Sequence, residues 1–173
     1  MDNRWEYLKG KTAIITGAAG GIGEAICKKL AAYGMNLVIT GRKEATLLEL
    51  EQQLEGVKIC RCVGDLTSLA FVDEVLSAAK EVFGGVDVII NNAGLSHNCT
   101  VEEMTPELFD SIMQVNVRAP YFLCQRALPE LKASSCATCC ITGCERSIFS
   151  ARGTARLAAR TCLRSSCLSI GQK

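Results

Sequence analysis

The chain has 173 residues, of which 49% are hydrophobic, 21% are charged and only three are proline. This composition is typical of one globular domain with a sizeable core, and it excludes a disordered tail, a collagen and a membrane bundle. The formal net charge of +1 predicts no nucleic-acid or membrane partner for the chain as a whole.

Charge and cysteine content both divide the chain near residue 132. From Ala133 onward there are six basic residues and one acid, Glu145, giving +5, whereas residues 1–132 carry −4. Six of the eleven cysteines also lie after residue 132. We therefore predict one domain over residues 1–132, followed over 133–173 by a Cys- and Arg-rich segment that is not an independent domain.

The beginning of the chain carries no recognisable targeting signal. Residues 1–6 contain no apolar signal region, and no apolar run approaches the roughly 18 residues that a membrane span requires. Eleven cysteines would suggest a disulfide scaffold only in an exported chain. We expect a cytoplasmic protein with reduced thiols and no membrane partner.

Short apolar runs alternate with helical patterns over the first half of the chain. The runs predict buried parallel strands at 11–16, 36–40, 57–63 and 86–90. Apolar residues spaced three and four apart predict intervening helices at 22–33, 47–54 and 72–83. Strands that alternate with helices in this way predict an α/β fold, a Rossmann-type doubly wound parallel sheet with right-handed crossovers.

A long helix is predicted from Pro106, with Thr105 as its capping residue. Pro120 inside this helix predicts a kink. Beyond Leu131 the periodicity weakens, and residues 139–142 are a candidate fifth strand. The predicted sheet is therefore a truncated one, with four strands and this fifth candidate.

A glycine-rich loop joins the first predicted strand to its helix, with the sequence Thr16-Gly17-Ala18-Ala19-Gly20-Gly21-Ile22-Gly23. Gly17 permits a tight turn, and a pyrophosphate can then lie against the N–H groups and the positive end of the helix. Gly23 lets the helix and the strand pack closely. An ordinary strand-to-helix turn is the alternative, but the position after a strand and before a helix favours a dinucleotide site.

The spacing of Thr16, Gly17, Gly21 and Gly23 resembles the short-chain dehydrogenase/reductase family. Further motifs similar to that family follow in order and cover residues 5 to about 132: Gly64-Asp65-Leu66-Thr67, Asn91-Asn92-Ala93-Gly94 and Val115-Asn116-Val117. The resemblance implies NAD(P)-dependent hydride transfer between the nicotinamide and an alcohol or carbonyl.

The resemblance also implies the residues that contact the cofactor. They are Thr16, Gly17, Gly21, Ile22 and Gly23 in the glycine loop, Asp65 and Leu66 at the adenine, and Asn91, Ala93 and Gly94 beneath the ribose. The family's equivalent of Asn116 helps to position a catalytic lysine through water. Two structural alternatives remain open: Asp65 as a helix-capping acid, and Asn116 as a buried amide that is satisfied by neighbouring backbone.

The end of the second strand indicates which dinucleotide is bound. An NAD site would place Asp or Glu there, whereas this chain has Thr40-Gly41-Arg42-Lys43. The fork of Arg42 suits a 2′-phosphate, and Lys43 adds positive charge. We predict that NADP(H) is preferred and that NAD(H) is possible, the alternative being that both side chains are only solvated.

The family's catalytic Ser and its Tyr-x-x-x-Lys pair have no counterpart after Asn116. The tyrosines are Tyr7, Tyr33 and Tyr121, and only Tyr7 has a lysine four residues later, before the first strand. The sequence therefore predicts a truncated or frame-shifted form that keeps cofactor binding, either as a non-catalytic remnant or as an enzyme completed by another proton donor. The family's homo-oligomer is not expected, because its Tyr-bearing helix is missing.

Residues 133–173 carry two patterns that can bind a ligand, a cysteine cluster and a basic stripe. The spacing of Cys136, Cys139, Cys140 and Cys144 can suit zinc, but two separated cysteine pairs are absent, and we predict no metal site. A basic stripe can meet nucleic-acid phosphates, although a solvated helix face is the simpler interpretation. This stripe consists of Arg152, Arg156, Arg160 and Arg164.

Overall fold

The computed structural model describes residues 3–136 and 138–141. It contains one five-stranded sheet in the order β3-β2-β1-β4-β5, and every pair of neighbouring strands is parallel. The strands are β1 (Thr12–Thr16), β2 (Asn36–Gly41), β3 (Ile59–Val63), β4 (Val88–Asn91) and β5 (Thr138–Ile141). The predicted doubly wound parallel sheet is confirmed, and the fifth candidate strand is present.

Helices cover both faces of the sheet. The helices of the described residues are α1 (Gly21–Ala32), α2 (Glu44–Gln52), α3 (Leu69–Phe83), α4 (Pro106–Met113), α5 (Ala119–Arg126) and α6 (Leu128–Ala133), preceded by a short 3-10 helix (Asn3–Leu8). One apolar core lies between the sheet and α1 and α2, and the other lies between the sheet and α3 and α5. Both faces of the central strands are therefore buried, which explains their continuous apolar sequences.

The central strand β1 shows this arrangement. All five of its residues are buried, and Ile14 lies between Val38 of β2 and Ile89 of β4. Ile14 belongs to the core beneath α3 and α5, whereas the next residue, Ile15, belongs to the core beneath α1 and α2. Successive side chains point to opposite faces of a sheet, so a fully apolar strand supplies both cores.

The long predicted helix is interrupted rather than simply kinked. A π-helical turn over Gln114–Arg118 separates α4 from α5, and Pro120 is near the start of α5. Proline has no N–H to donate to the carbonyl four residues earlier, so a regular α-helical pattern cannot run through this point. A second interruption occurs at Ala127, just before Pro129.

A row of apolar side chains on this interrupted helix is exposed. Phe109, Met113, Val117 and Tyr121 recur every four residues and are between 39% and 51% exposed. Met113, Val117 and Tyr121 border a groove of about 370 Å³. The oligomeric state stays a prediction.

No helix of the described residues is long and apolar enough to cross a bilayer. The basic stripe predicted for the C-terminal segment and Cys144 lie outside the described residues. The alternatives of nucleic-acid and zinc binding by this segment therefore stay untested.

Candidate functional site

The strand order creates a crevice at the carboxyl edge of the sheet. β1 and β4 are neighbours, and the chain leaves β1 toward β2 on one side but leaves β4 toward β5 on the other. In open parallel sheets this switch point is where ligands bind. The glycine loop after β1 and the segment after β4 meet there.

Thr16 and Asn92 hold these two loops together. The Thr16 hydroxyl oxygen accepts hydrogen bonds from the backbone N–H of Asn92 at 3.0 Å and of Ala93 at 2.9 Å. In return, Nδ2 of Asn92 donates to the carbonyl oxygens of Thr16 at 3.1 Å and of Gly17 at 2.9 Å. Four hydrogen bonds thus fix the floor of the crevice.

Gly17 and Gly23 make the close approach of backbone possible. Gly17 has a φ of +62°, and a Cβ there would lie 2.9 Å from Cα of Ala93. A Cβ on Gly23 would lie 2.4 Å from the carbonyl oxygen of Gly17. Only glycine fits either position, so the predicted tight turn and close packing are both present.

Gly21, the first residue of α1, borders open space. A Cβ on Gly21 would meet no atom within 4 Å, and the capping residue Gly20 supplies no side-chain hydrogen bond to the helix end. The first N–H groups of a helix have no partner inside the helix, and they carry the positive end of its dipole. Ile22, on the same turn, is 62% exposed. The geometry fits a diphosphate group lying over this turn.

Asn116 holds the loop after β4 through two hydrogen bonds. It lies within the π-helical turn, where its Oδ1 accepts from the N–H of Leu95 at 2.7 Å and its Nδ2 donates to the carbonyl of Leu95 at 2.8 Å. Asn116 is half-buried rather than buried, and the backbone of Leu95 satisfies both polar atoms of its side chain. This paired contact fixes the chain directly after Gly94. The lysine-positioning role implied by the family stays a prediction.

The side chain of Asn91 lies inside the protein rather than in the crevice. It is 2% exposed, and its Nδ2 contacts Sγ of Cys124 at 3.4 Å. Asn91 therefore anchors the end of β4 to α5. Its neighbour Asn92, which the sequence analysis left out of the predicted site, supplies the amide that bridges the two loops. The signal for Asn92 was its place directly after a buried strand, next to Ala93 and Gly94.

The loop after β3 contains Asp65 and Leu66. Asp65 is exposed, and its Oδ1 accepts from the N–H of Thr67 at 2.9 Å. The N-cap of α3 is Ser68 rather than Asp65, because the Ser68 hydroxyl accepts from the N–H of Phe71. Leu66 packs against the core beneath α3. The carboxylate of Asp65 thus stabilises a turn before the helix, in the exposed loop that follows β3.

Arg42 and Lys43 lie exposed at the end of β2. Among the residues that the structure describes, neither side chain has an ion-pair partner. The nearby acids of α2, Glu44 and Glu51, instead pair with Arg61 of β3. The positive charge of Arg42 is therefore available to a ligand at this edge.

The Tyr7–Lys11 pair lies away from this crevice. Tyr7 belongs to the 3-10 helix and packs near Trp5, and Lys11 precedes β1 and contacts Asp87 at 3.2 Å. This contact is at the amino edge of the sheet, at the opposite end of the strands. Tyr121, on α5, is followed four residues later by Gln125.

Two buried thiols near the strands are poor nucleophiles. Burial raises the pKa of Cys27 to about 12, and burial together with the neighbouring Cys60 raises the pKa of Cys62 to about 12. Both thiols therefore stay protonated at neutral pH. No three His, Cys, Asp or Glu side chains within residues 3–136 and 138–141 are grouped so as to hold a metal ion.

Comparison with known proteins identifies the family. A family model described as short chain dehydrogenase matches residues 11–149. The chain belongs to the short-chain dehydrogenase family. Curated relatives in this family include the D-beta-hydroxybutyrate dehydrogenase of Cupriavidus necator, 35% identical over 127 residues, which are 72% of this chain and 49% of that protein. An uncharacterized oxidoreductase of Staphylococcus epidermidis is 36% identical over 74% of this chain and 55% of its own.

Solved structures of the family have the same fold. The L-sorbose reductase of Gluconobacter frateurii, complexed with NADPH and L-sorbose, is similar with a TM-score of 0.70 and 32% identity over 73% of this chain and 49% of its own. A 3-ketoacyl-(acyl-carrier-protein) reductase of Brucella melitensis, complexed with NADH, has a TM-score of 0.70 and 35% identity over 76% of this chain and 56% of its own. The chain thus spans about half the length of the relatives that it matches.

Proposed function

We propose that this chain binds a nicotinamide dinucleotide at the carboxyl edge of its sheet and prefers NADP(H). The observation that carries the proposal is the glycine cradle: Gly17 and Gly23 admit no Cβ, whereas Gly21 borders open space at an uncapped helix end. Such a cradle lets backbone N–H groups approach a pyrophosphate. Membership of the short-chain dehydrogenase family, among whose members one solved structure holds NADPH and another NADH, supports it.

Each part of the crevice has a role in the proposed complex. The N–H groups at the start of α1 hold the diphosphate, and Ile22 covers it from the solvent side. Asp65 and Leu66 contact the adenine, and Ala93 and Gly94 pass beneath the ribose on the nicotinamide side. Thr16, Asn91 and Asn92 act through the backbone that they fix, because their side chains are engaged with other parts of the protein.

The preference for NADP(H) depends on Arg42. Its planar guanidinium is exposed at the end of β2 and can donate two parallel hydrogen bonds to oxygens of a doubly charged 2′-phosphate. We expect Arg42→Ala to weaken NADP binding by about tenfold, as loss of one charge-assisted hydrogen-bonded contact predicts, while NAD binding changes little. Dissociation constants for both dinucleotides test this. Equal affinity of the unaltered protein for NADP and NAD would refute the preference.

The proposed reaction is hydride exchange between the dinucleotide and a small alcohol or carbonyl compound, the chemistry that the names of several relatives indicate. A bound nicotinamide supplies or accepts the hydride, and a side chain must supply the proton. Among residues 3–136 and 138–141, no tyrosine lies beside a lysine at the carboxyl edge. We therefore propose that dinucleotide binding is the activity that the described residues support.

An assay of NADPH oxidation against a panel of carbonyl compounds separates binding from turnover. We expect NADPH to bind and to be consumed no faster than with the Gly17→Asp variant, in which a charged side chain occupies the cradle. Turnover above this control would show that another proton donor completes an active enzyme. Failure of the unaltered protein to bind either dinucleotide would refute the proposed function. A cytoplasmic location is also proposed, and fractionation of cells tests it.

A further inference from the structure

The π-helical turn between α4 and α5 contacts loops on two sides of the crevice. Asn116 holds the backbone of Leu95 after β4, and Arg118 donates from Nη1 to the carbonyl oxygen of Thr67 after β3, at 3.3 Å. Residues two apart lie on roughly opposite sides of a helix, so one turn can reach both loops. π-helical turns are rare and frequently occur at functional sites.

The contact made by Arg118 completes a fixed turn. The peptide between Thr67 and Ser68 has its N–H bonded to the carbonyl of Asp65 at 3.0 Å, and its carbonyl accepts from Arg118. The N–H of Thr67 donates to the carboxylate of Asp65. Arg118 therefore fixes the carbonyl group of the same peptide whose N–H closes the Asp65 turn. Its guanidinium also lies 5.1 Å from the centre of the Phe122 ring, which limits its freedom.

We propose that Arg118 is a positioning residue for the adenine half of the dinucleotide site. By fixing the Thr67–Ser68 peptide, it sets the position of Asp65 and Leu66, the residues assigned to the adenine. That position is fixed relative to the loop after β4, which Asn116 holds. This inference rests on the proposed function, since it assigns the loop after β3 to the adenine. Arg118 itself contacts neither the dinucleotide nor the reacting atoms.

Arg126, at the end of α5, provides a matched control. Its Nη1 donates to the carbonyl of Leu69 at 2.8 Å, and it pairs with Asp73. Both partners belong to α3 itself, beyond the turn that contains Asp65. Loss of Arg126 therefore removes a comparable arginine contact between α5 and α3 without freeing the Asp65 turn.

The test compares the binding of adenosine and of nicotinamide mononucleotide, which probe the two halves of the site separately. Adenosine is uncharged, so a change in its affinity does not report attraction between Arg118 and a phosphate. We expect Arg118→Ala to weaken adenosine binding by about three- to tenfold, as loss of one hydrogen bond predicts, with the affinity for nicotinamide mononucleotide within about twofold. Arg126→Ala should leave adenosine binding within about twofold of the unaltered protein.

The outcomes distinguish this inference from the proposed function. Unchanged adenosine affinity in Arg118→Ala, or an equal loss for both probes, would overturn the positioning role and leave dinucleotide binding intact. An equal loss of adenosine affinity in both arginine variants would also overturn it, because the effect would then be a general loosening of α3. Binding of NADP to the unaltered protein without binding of adenosine would also overturn this inference, whereas failure of the unaltered protein to bind either dinucleotide would refute the proposed function itself.

Discussion

The carboxyl and amino edges of the sheet carry similar polar contacts, but these contacts serve different roles. At the carboxyl edge, Thr16 and Asn92 fix two loops by hydrogen bonds to backbone and leave open space over Gly21. At the amino edge, Asp87 accepts from Lys11 at 3.2 Å, from the N–H of Thr12 at 2.9 Å and from the hydroxyl of Ser134 at 2.5 Å.

The carboxylate of Asp87 thereby joins the starts of β1 and β4 to the segment that leads into β5. At the amino edge, the polar groups around Asp87 bond to one another, so this cluster is closed to a ligand. The partners of the carboxyl edge are mostly backbone groups of its own loops, so the helix end stays available to a ligand. Among the described residues, this difference supports the proposal that the dinucleotide binds at the carboxyl edge.

The largest expected effect is that of filling the glycine cradle. Gly23→Ala would place a Cβ 2.4 Å from the carbonyl oxygen of Gly17, a backbone atom that cannot rotate away. We expect a net loss of about 3 kcal/mol in the free energy of unfolding, because overpacking against backbone outweighs the roughly 1 kcal/mol that alanine gains in a helix. Urea unfolding measures this.

Gly21→Ala, two residues earlier, is the matched control, since its Cβ would meet no atom within 4 Å. It should unfold at the same urea concentration as the unaltered protein or at a slightly higher one. Equal destabilisation by the two substitutions would contradict the close approach at Gly23.

A smaller effect separates two threonines that are paired across β1 and β2. Thr16→Val leaves the N–H groups of Asn92 and Ala93 without their acceptor, and we expect a loss of about 2 kcal/mol in stability. Thr40 is its neighbour in register, and its buried hydroxyl has no hydrogen-bond partner among the described residues. Thr40→Val should therefore change stability by less than about 0.5 kcal/mol or increase it. Similar losses from both valines would show that the loop contact has no special value.

The smallest of these effects concerns the amino edge. Burial alone would raise the pKa of Asp87, but hydrogen bonds from Ser134, Thr12 and Lys11 together lower it below the ordinary value of 3.8. The unfolded chain therefore takes up the proton more readily than the folded one. The stability that this carboxylate contributes is present above pH 3.8 and is lost as the pH falls through the lower pKa of the folded state.

Asp87→Asn should lower stability at neutral pH by about 1–2 kcal/mol and flatten the dependence of stability on pH below 4. Unfolding curves between pH 3 and pH 7 measure both effects. Asp110→Asn is the matched control, since that exposed carboxylate accepts no such set of hydrogen bonds among the described residues. An unaltered slope in Asp87→Asn would contradict the assignment.

Local patterns predicted the elements of this fold well, and for a physical reason. Burial on both faces forces continuous apolar runs on β1 and β2, and the spacing of apolar residues alone predicts α1 and α3. The observed β3 and β4 each begin two residues later than predicted, a difference of the size expected at strand ends. Gly17 and Gly23 were assigned their roles from their place between strand and helix.

Local sequence patterns do not predict contacts between residues that are far apart in the sequence. Thr16 meets Asn92 across 76 residues, and Lys11 meets Asp87 across 76 as well. A polar residue at a strand end carries no periodic signal of its partner. For the same reason the sequence placed Asn91 in the crevice, whereas the fold turns its side chain toward Cys124.

The sequence by itself determined the class of fold, the glycine loop and the positive end of β2, because each follows from neighbouring residues whose geometry is set by local sterics and periodicity. Only the tertiary structure decided that Asn92 clasps the glycine loop, that one π-helical turn reaches the loops after β3 and β4, and that Tyr7 and Lys11 lie away from the crevice. These depend on strand order, which brings the ends of β1 and β4 together, and strand order is a property of the packed sheet.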